Sequence, residues 1–377
     1  MVKPRICYIA APTGQMGGGM GRVKDYILQS GGDRYGRVKF ELLDTRGSGR
    51  AMWSVPYTLL AVAKIWHAQL TGNLAGVHVN LGDRGSAARK GFVVVMARLV
   101  GAPVVLHLHA AELVEHYEKA SPALKALIRL PFRMATCCVV LGKLWRDWLV
   151  NDLGVDPAKV EILYNGVPVP DRPRTPESFS SQGQRQILFL GNLMERKGVS
   201  DLLHAFALMP ATPDWHATLV GGGEIERYKA LANELKVTSR VTFAGWMEQA
   251  KVRELLRTAD ILTLPSYDEG LPLVILEALG SGTPVLTTPV GSIPEVLKDG
   301  TTALLVKPGD RKGLADKLTL AITDINLRKR LSEEGLRLFK EKFTHEVFIA
   351  QLFAIYRRHC GMQIEQIEKT VPLAAAS

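Results

Sequence analysis

Glu269 and Glu277 carry the plainest chemical signal in this chain. They flank the stretch Pro265-Ser266-Tyr267-Asp268-Glu269-Gly270-Leu271-Pro272-Leu273-Val274-Ile275-Leu276-Glu277, with seven residues between them. Glu269 falls in a turn marked by Gly270 and Pro272, and Glu277 falls inside the apolar run that follows, which reads as a helix. Carboxylate oxygens accept hydrogen bonds from hydroxyls, so the pair can hold a hydroxyl-rich ligand at both ends. Pro272 suits the first helical position, leaving the N–H groups of Leu273 and Val274 to face an anion. A second signal is Gly191-Asn192-Leu193-Met194-Glu195-Arg196-Lys197-Gly198, between a strand pattern and a helix pattern. Arg196 offers a flat fork of donors and Lys197 a point charge, a combination that suits a diphosphate. Hydroxyls and phosphates together describe a sugar nucleotide.

The elements that must position these residues alternate. Strand patterns fall at Arg5–Ala10, Val38–Leu43, Gly76–Asn80, Pro103–His107, Cys137–Leu141 and Val160–Leu163, then at Gln186–Leu190, His216–Val220, Val241–Phe243, Ile261–Leu264 and Pro284–Thr287. Helical patterns separate them, among them Arg22–Ser30, Val55–Leu70, Ala87–Val100 and Leu144–Leu153, and later Val199–Leu208, Glu224–Leu235, Ala250–Thr258, Leu273–Leu279, Lys312–Asp324 and Glu346–Arg358. Such alternation predicts α/β architecture with parallel sheets and right-handed crossovers. Val167–Pro176 holds four prolines and reads as a semi-rigid linker. The expected organisation is one doubly wound, Rossmann-like domain over residues 1–170, a second over 171–345, and a helix over 346–377 that crosses back to the first and ends in a frayed tail. Two such domains facing across a cleft would bring strand ends together, where ligands of open parallel sheets bind.

In order and spacing, Gly191…Arg196-Lys197-Gly198, Val220-Gly221-Gly222-Gly223, Val241-Thr242-Phe243-Ala244-Gly245 and Pro265-Ser266…Glu269-Gly270…Glu277-Ala278…Gly282-Thr283-Pro284-Val285 resemble the donor half of the GT-B glycosyltransferases, in particular the retaining family 4, or group 1. The likeness spans essentially the whole chain and is weaker before residue 180. It implies that Glu269 contacts the transferred sugar, Glu277 the nucleotide ribose, and Arg196 and Lys197 the diphosphate. It implies donor contacts at Gly191, Gly270, Leu271, Leu273 and Val274, and at Gly18 and Gly19, which align with a glycine pair that lets backbone approach phosphate. It implies a site histidine near the end of Leu106-His107-Leu108-His109; His109 is nearer the strand end, and His107 shares its face. Trp246, after Gly245, is a candidate neighbour of the base. The implied donor is GDP-mannose or a UDP-hexose, and the implied acceptor a glycan or a polyprenyl-diphosphate-linked one in bacterial exopolysaccharide synthesis. No cofactor and no metal are expected, because fixed cations can neutralise the leaving group and no Asp-x-Asp follows a strand.

Charge is uneven. Residues 1–180 hold 23 Lys and Arg against 14 Asp and Glu, whereas the remainder holds 24 against 23. A basic first half suits an anionic acceptor or an anionic membrane surface. Arg84, Ser86, Arg89 and Lys90, at a strand–helix junction, are the candidate acceptor contacts, with Ser86 as a helix cap. Trp53, Tyr57, Lys64, Trp66 and His67 would suit a membrane surface as well as a packed helix. Nucleic acid is not expected, since zinc spacing, an aromatic RNA-binding signature and dense basic runs are all missing. A dinucleotide-dependent dehydrogenase is excluded by Arg22, which breaks the glycine fingerprint. A sugar-nucleotide epimerase of the same fold is the remaining alternative. Cys7, Cys137, Cys138 and Cys360 lack ligand spacing and fit a reducing compartment. The first apolar run stops at Pro12 and reads as a strand, so a cytoplasmic location is expected, peripheral on the inner membrane face.

Overall fold

The computed structural model describes residues 5–11, 19–30, 38–47, 54–82, 85–109, 113–180 and 183–364. The chain divides into two compact units, Met1–Gly166 with His345–Ser377, and Val167–Thr344.

The first unit runs β1 (Arg5–Ala11), α1 (Gly19–Gln29), β2 (Val38–Asp44), α2 (Ser54–Leu70), β3 (Leu74–Leu81), α3 (Gly85–Leu99), β4 (Val104–Leu108), α4 (Leu113–Glu118), α5 (Pro122–Met134), β5 (Cys137–Val140), α6 (Lys143–Asn151) and β6 (Val160–Ile162). Its strands form one parallel sheet in the order β2-β1-β3-β4-β5-β6. Every residue of β3 and β4 is buried, as continuous apolar strands covered on both faces should be. The second unit runs β7 (Arg185–Leu190), α7 (Val199–Leu208), β8 (Trp215–Val220), α8 (Ile225–Glu234), β9 (Val241–Gly245), α9 (Gln249–Thr258), β10 (Ile261–Leu264), α10 (Leu273–Gly280), β11 (Val285–Thr287), α11 (Ile293–Val296), β12 (Leu304–Leu305), α12 (Arg311–Thr323) and α13 (Ile325–Lys342). Its parallel sheet has the order β12-β11-β10-β7-β8-β9. Both orders are doubly wound. They reverse direction between β1 and β3 in the first unit and between β7 and β10 in the second, which is where such sheets open a ligand crevice.

The last helix, α14 (His345–Cys360), belongs to the first unit. Phe353 stacks on Phe40 with ring centroids 5.6 Å apart, Tyr356 is fully buried, and Glu161 accepts from Arg358 at 2.5 Å and His359 at 2.7 Å. The proline-rich stretch expected as a linker is packed along the second unit. Val167 donates to Phe343 O at 3.0 Å, Arg174 donates to Ser281 O at 2.7 Å, and the Arg174 guanidinium lies 3.7 Å from the Phe179 ring centroid. Four helices beyond those expected are present: α4, α5, α11 and α13. So is the two-residue strand β12, too short to show a period.

The strap is fixed by a buried charge group. Asp260 Oδ1 lies 3.6 Å from Arg174 Nη2 and 3.5 Å from Arg328 Nε, and Oδ2 accepts from the backbone of Gln186 at 2.9 Å. Arg328 also donates to Ala321 O and Ser180 O. Burial holds both guanidinium pKa values below their usual range, and Asp260 opposes that shift. Removing the carboxylate would leave two buried cations facing each other. We expect Asp260→Ala to lower unfolding free energy by about 3–5 kcal/mol in urea denaturation.

Candidate active site

The loops that follow β7 and β10 meet at the switch point of the second sheet. After β7 the chain makes a 3-10 turn over Glu195–Lys197 and then starts α7 at Val199. Gly198 between them has φ of 70°, and a Cβ there would stand 2.0 Å from Pro265 O. The two loops therefore touch backbone to backbone. Tyr267 donates from its N–H to Arg196 O at 2.9 Å, and Arg196 Nη1 donates to Asp268 O at 2.8 Å. Gly291, with φ of 55°, seals the far side, where a Cβ would meet Glu269 O at 1.8 Å.

This packing delivers the chemistry. Glu269 is buried, and its Oε1 accepts from Ser266 Oγ at 2.7 Å and from Lys197 Nζ at 2.5 Å. Arg196 is more open, with a side chain 33% exposed against 17% for Lys197, and its weak pairing to Asp268 Oδ2 is 4.0 Å long. One cation is thus spoken for by the carboxylate, and the other is held mainly by a carbonyl. Glu277 lies on α10, half-buried. Leu271 and Leu273 have buried side chains, so what they can offer a ligand is backbone. Pro272 is the N-cap of α10 and not its first helical residue, because its ψ of 128° is extended. Leu273 and Val274 open the helix, and Ile275 N–H already bonds to Pro272 O at 3.1 Å. Gly191 and Gly270 stay in the backbone frame: Gly191 donates to Val220 O and Gly270 O accepts from Ser292. Trp246 is 72% exposed after β9. Among the described residues no group of three or more His, Cys, Asp or Glu is arranged to hold a metal ion.

A clasp not read from the sequence steadies the Glu269 loop. Tyr267 Oη donates to Asp201 Oδ2 at 2.5 Å, and Arg311 Nε donates to Asp201 Oδ1 at 2.7 Å. The hydrogen bond to Asp201, then burial, pushes the Tyr267 phenol up to about 12. Asp201 in the first turn of α7 was the available signal, since an acid there is usually a helix-end residue and this one is buried. Ser266 stood inside the quoted motif, three residues before the carboxylate it serves.

In the first unit, Gly19 opens α1, three residues before the predicted start, while Gly18, Arg84 and Trp53 lie outside the described residues. Ser86 is the second residue of α3 and so not its cap. Arg89 is half-buried and donates to Gly85 O at 3.3 Å. Lys90 does not join it as a surface cation. Lys90 is fully buried with Nζ on Asn80 O, because its position faces the sheet, and burial lowers its pKa to about 7. His107 is fully buried and both ring nitrogens lack hydrogen-bond partners, whereas His109 is only partly buried at the strand end, with Nε2 3.0 Å from Asn80 Oδ1. The two rings lie 4.0 Å apart, and His78 stands edge-on to His107 at 5.3 Å.

Residues 171–337 match the family model for glycosyl transferases group 1, and residues 28–166 match that for a glycosyl transferase 4-like domain. The chain belongs to the group 1 glycosyl transferases. It is 34% identical over 177 residues to N-acetyl-alpha-D-glucosaminyl L-malate synthase of Bacillus anthracis, covering 47% of this chain and 46% of that protein. It is 35% identical over 161 residues to the lipopolysaccharide core biosynthesis glycosyltransferase LpsE of Rhizobium meliloti, covering 42% and 46%. The matched stretch thus spans about half the length of these curated relatives. Among solved structures, Anabaena Alr3699/HepE in complex with UDP-glucose superposes with a TM-score of 0.75 at 18% identity, over 93% of this chain and 98% of that one. WaaG, a glycosyltransferase involved in lipopolysaccharide biosynthesis, gives 0.70 at 18%, over 94% and 100%. These structural likenesses establish the GT-B fold of the chain.

The histidine cluster gives the fold an acid limit. Burial, foremost, holds His78 at about 4 and His109 at about 3, and His107 well below its usual value. Each binds its proton more weakly folded than unfolded, so the unfolded state takes up more protons as pH falls below the ordinary histidine value of about 6.5. Stability should fall from about pH 6.5 down through about pH 3, and His107→Leu should flatten that slope in urea titrations repeated at stepped pH.

Proposed function

We propose that this protein transfers a hexosyl group of mannose or glucose type from a nucleoside diphosphate sugar to a lipid-linked or glycan acceptor in bacterial cell-surface polysaccharide synthesis. In this reading the anomeric configuration is retained and no metal is needed. The observation that carries it is the meeting of Lys197, Glu269 and Ser266, with Arg196 beside them, at the switch point between β7 and β10. The LpsE likeness supports a cell-envelope glycan, and the UDP-glucose of the HepE complex supports a UDP-hexose donor.

Transfer breaks the bond from sugar C1 to the diphosphate oxygen and forms one from C1 to the acceptor hydroxyl on the same face. The hydroxyl proton passes to the departing diphosphate oxygen, so no separate base is required. Negative charge builds on the leaving group, and donors fixed beforehand stabilise it without reorganising. Arg196 and Lys197 supply them. Phosphate arriving at Lys197 relieves its charge on Glu269, whose carboxylate is then available to sugar hydroxyls. Backbone at Gly191, Gly270, Leu271, Leu273 and Val274 lines the donor path, Gly18 and Gly19 are assigned to the donor phosphate, Trp246 is assigned to the base, and Glu277 accepts from the ribose. His109 contacts the sugar, and Arg84, Ser86 and Arg89 meet the anionic acceptor. Lys90, being buried, is left out of that set.

Lys197→Ala should cut kcat by roughly a hundredfold or more, in line with loss of a transition-state charge contact. Glu277→Gln should instead weaken donor binding, by roughly tenfold, as loss of a charge-assisted hydrogen bond does. Initial rates against donor concentration separate the two, and unchanged rates for Lys197→Ala would overturn the site. Activity should survive EDTA.

The first unit also suits an anionic membrane surface. Among the described residues no helix is long and apolar enough to cross a membrane. In α5 only Pro131 and Phe132 are buried, Leu124, Leu127 and Leu130 are exposed, and Lys125, Arg129 and Arg133 stand unopposed by any acid on the helix. Apolar side chains flanked by cations are what a lipid interface rewards. At low salt the protein should sediment with phosphatidylglycerol vesicles and not with phosphatidylcholine ones, and Leu127→Glu should abolish it.

A further inference from the structure

β3 and β4 pair with Asn80 beside His107 and His78 beside Val105. The ladder continues past β4, with His109 N–H on Leu81 O at 2.9 Å. Alternation then sets His78, Asn80, His107 and His109 on one face of the sheet. Asn80 Oδ1 stands 3.0 Å from His109 Nε2 and 3.3 Å from His78 Nε2. An amide oxygen only accepts, so both rings carry their proton on Nε2. His78 is left with a bare Nδ1, and Tyr356 Oη lies 2.8 Å from it as the donor. Every link agrees in direction: Tyr356 donates to His78, and His78 and His109 both donate to Asn80.

The network is out of water except at His109. His78, Asn80 and Tyr356 are fully buried, and Tyr356 comes from α14, the last helix of the chain. Lys90 Nζ donates to the backbone carbonyl of Asn80. His109 is the one member at the strand end that is only partly buried.

We propose that Asn80 is a positioning residue: held through His78 by Tyr356, it locks His109 in the Nε2–H tautomer and leaves Nδ1 to accept a hydrogen bond from a substrate hydroxyl. This rests on the reading of His109 as a sugar contact given above. Burial, with His78 and Lys90 nearby, keeps the ring uncharged at neutral pH, as an acceptor must be. His109 would therefore recognise a hydroxyl by receiving its proton in a hydrogen bond. It would not act as a cation on phosphate.

The test is nitrogen-15 NMR on the full chain labelled at histidine, at neutral pH and without substrate. Long-range nitrogen–proton correlations report the tautomer of each ring. Both His78 and His109 should be neutral with Nε2 protonated. An Nδ1–H tautomer on His109, or an imidazolium, overturns the proposal, because the amide would then be turned over or the ring charged. This readout needs no turnover, so its failure is distinct from failure of the transferase reading. Asn80→Ser, which keeps one small polar group at the site, supplies the second arm. In the folded variant His109 should populate both tautomers, with kcat lowered about tenfold and donor KM little changed. Retention of a single Nε2–H tautomer with unchanged kcat would overturn the positioning role. Tyr356→Phe should free the His78 tautomer, and a His78 ring still locked would show that Tyr356 is not the anchor.

Discussion

The close approach of the Gly198 backbone to the Pro265 carbonyl is the constraint on which the placement of Lys197 and Glu269 depends. No side chain fits between them, so the turn after β7 lies directly against the turn after β10. These strands are neighbours only because the sheet reverses its winding there, so residues 72 positions apart become partners. Lys197 then reaches Glu269, Tyr267 reaches the Arg196 carbonyl, and Asp201 reaches Tyr267 and Arg311. A buried carboxylate is costly unless paired and hydrogen-bonded, and Ser266 and Lys197 meet both needs. Lys197 and Glu269 thus cancel each other's charge inside the fold.

The first unit solves a different problem with different means. Its strand ends carry uncharged imidazoles and an amide where the second unit carries ions. Three histidines packed within ring contact could not all hold protons, and burial settles the matter by keeping them neutral. A neutral hydrogen-bonding chain has direction but little long-range field.

Away from the strand ends, buried charge serves the frame. Arg174, Arg328 and Asp260 tie the proline-rich segment to the bottom of the second sheet and to α13. Such a group is seldom worth more than a well-packed apolar cluster, yet it tolerates no loss of a single member. The segment therefore follows the second unit as one piece from Val167 onward.

The sequence alone determined the strand–helix alternation, because buried parallel strands must be short and apolar and the turns between them need glycine and proline. It also determined which residue types follow β7 and β10, including Glu269, Glu277, Arg196 and Lys197. α13 is legible in the sequence too: Leu327, Leu331 and Phe339 keep helical spacing, and Asp324 caps it through Leu327 N–H. α5 was harder, since most of its residues face outward and Pro131 interrupts it. Only tertiary structure decided that Lys90 points inward while Arg89 beside it does not, because adjacent helical residues differ in direction by about 100° and only the packed sheet says which direction is buried. Only tertiary structure, likewise, joined Tyr356 to His78 and Asp201 to Tyr267. Those contacts span 278 and 66 positions, and hydrogen bonds of a few ångströms between distant residues leave no periodic trace in a chain.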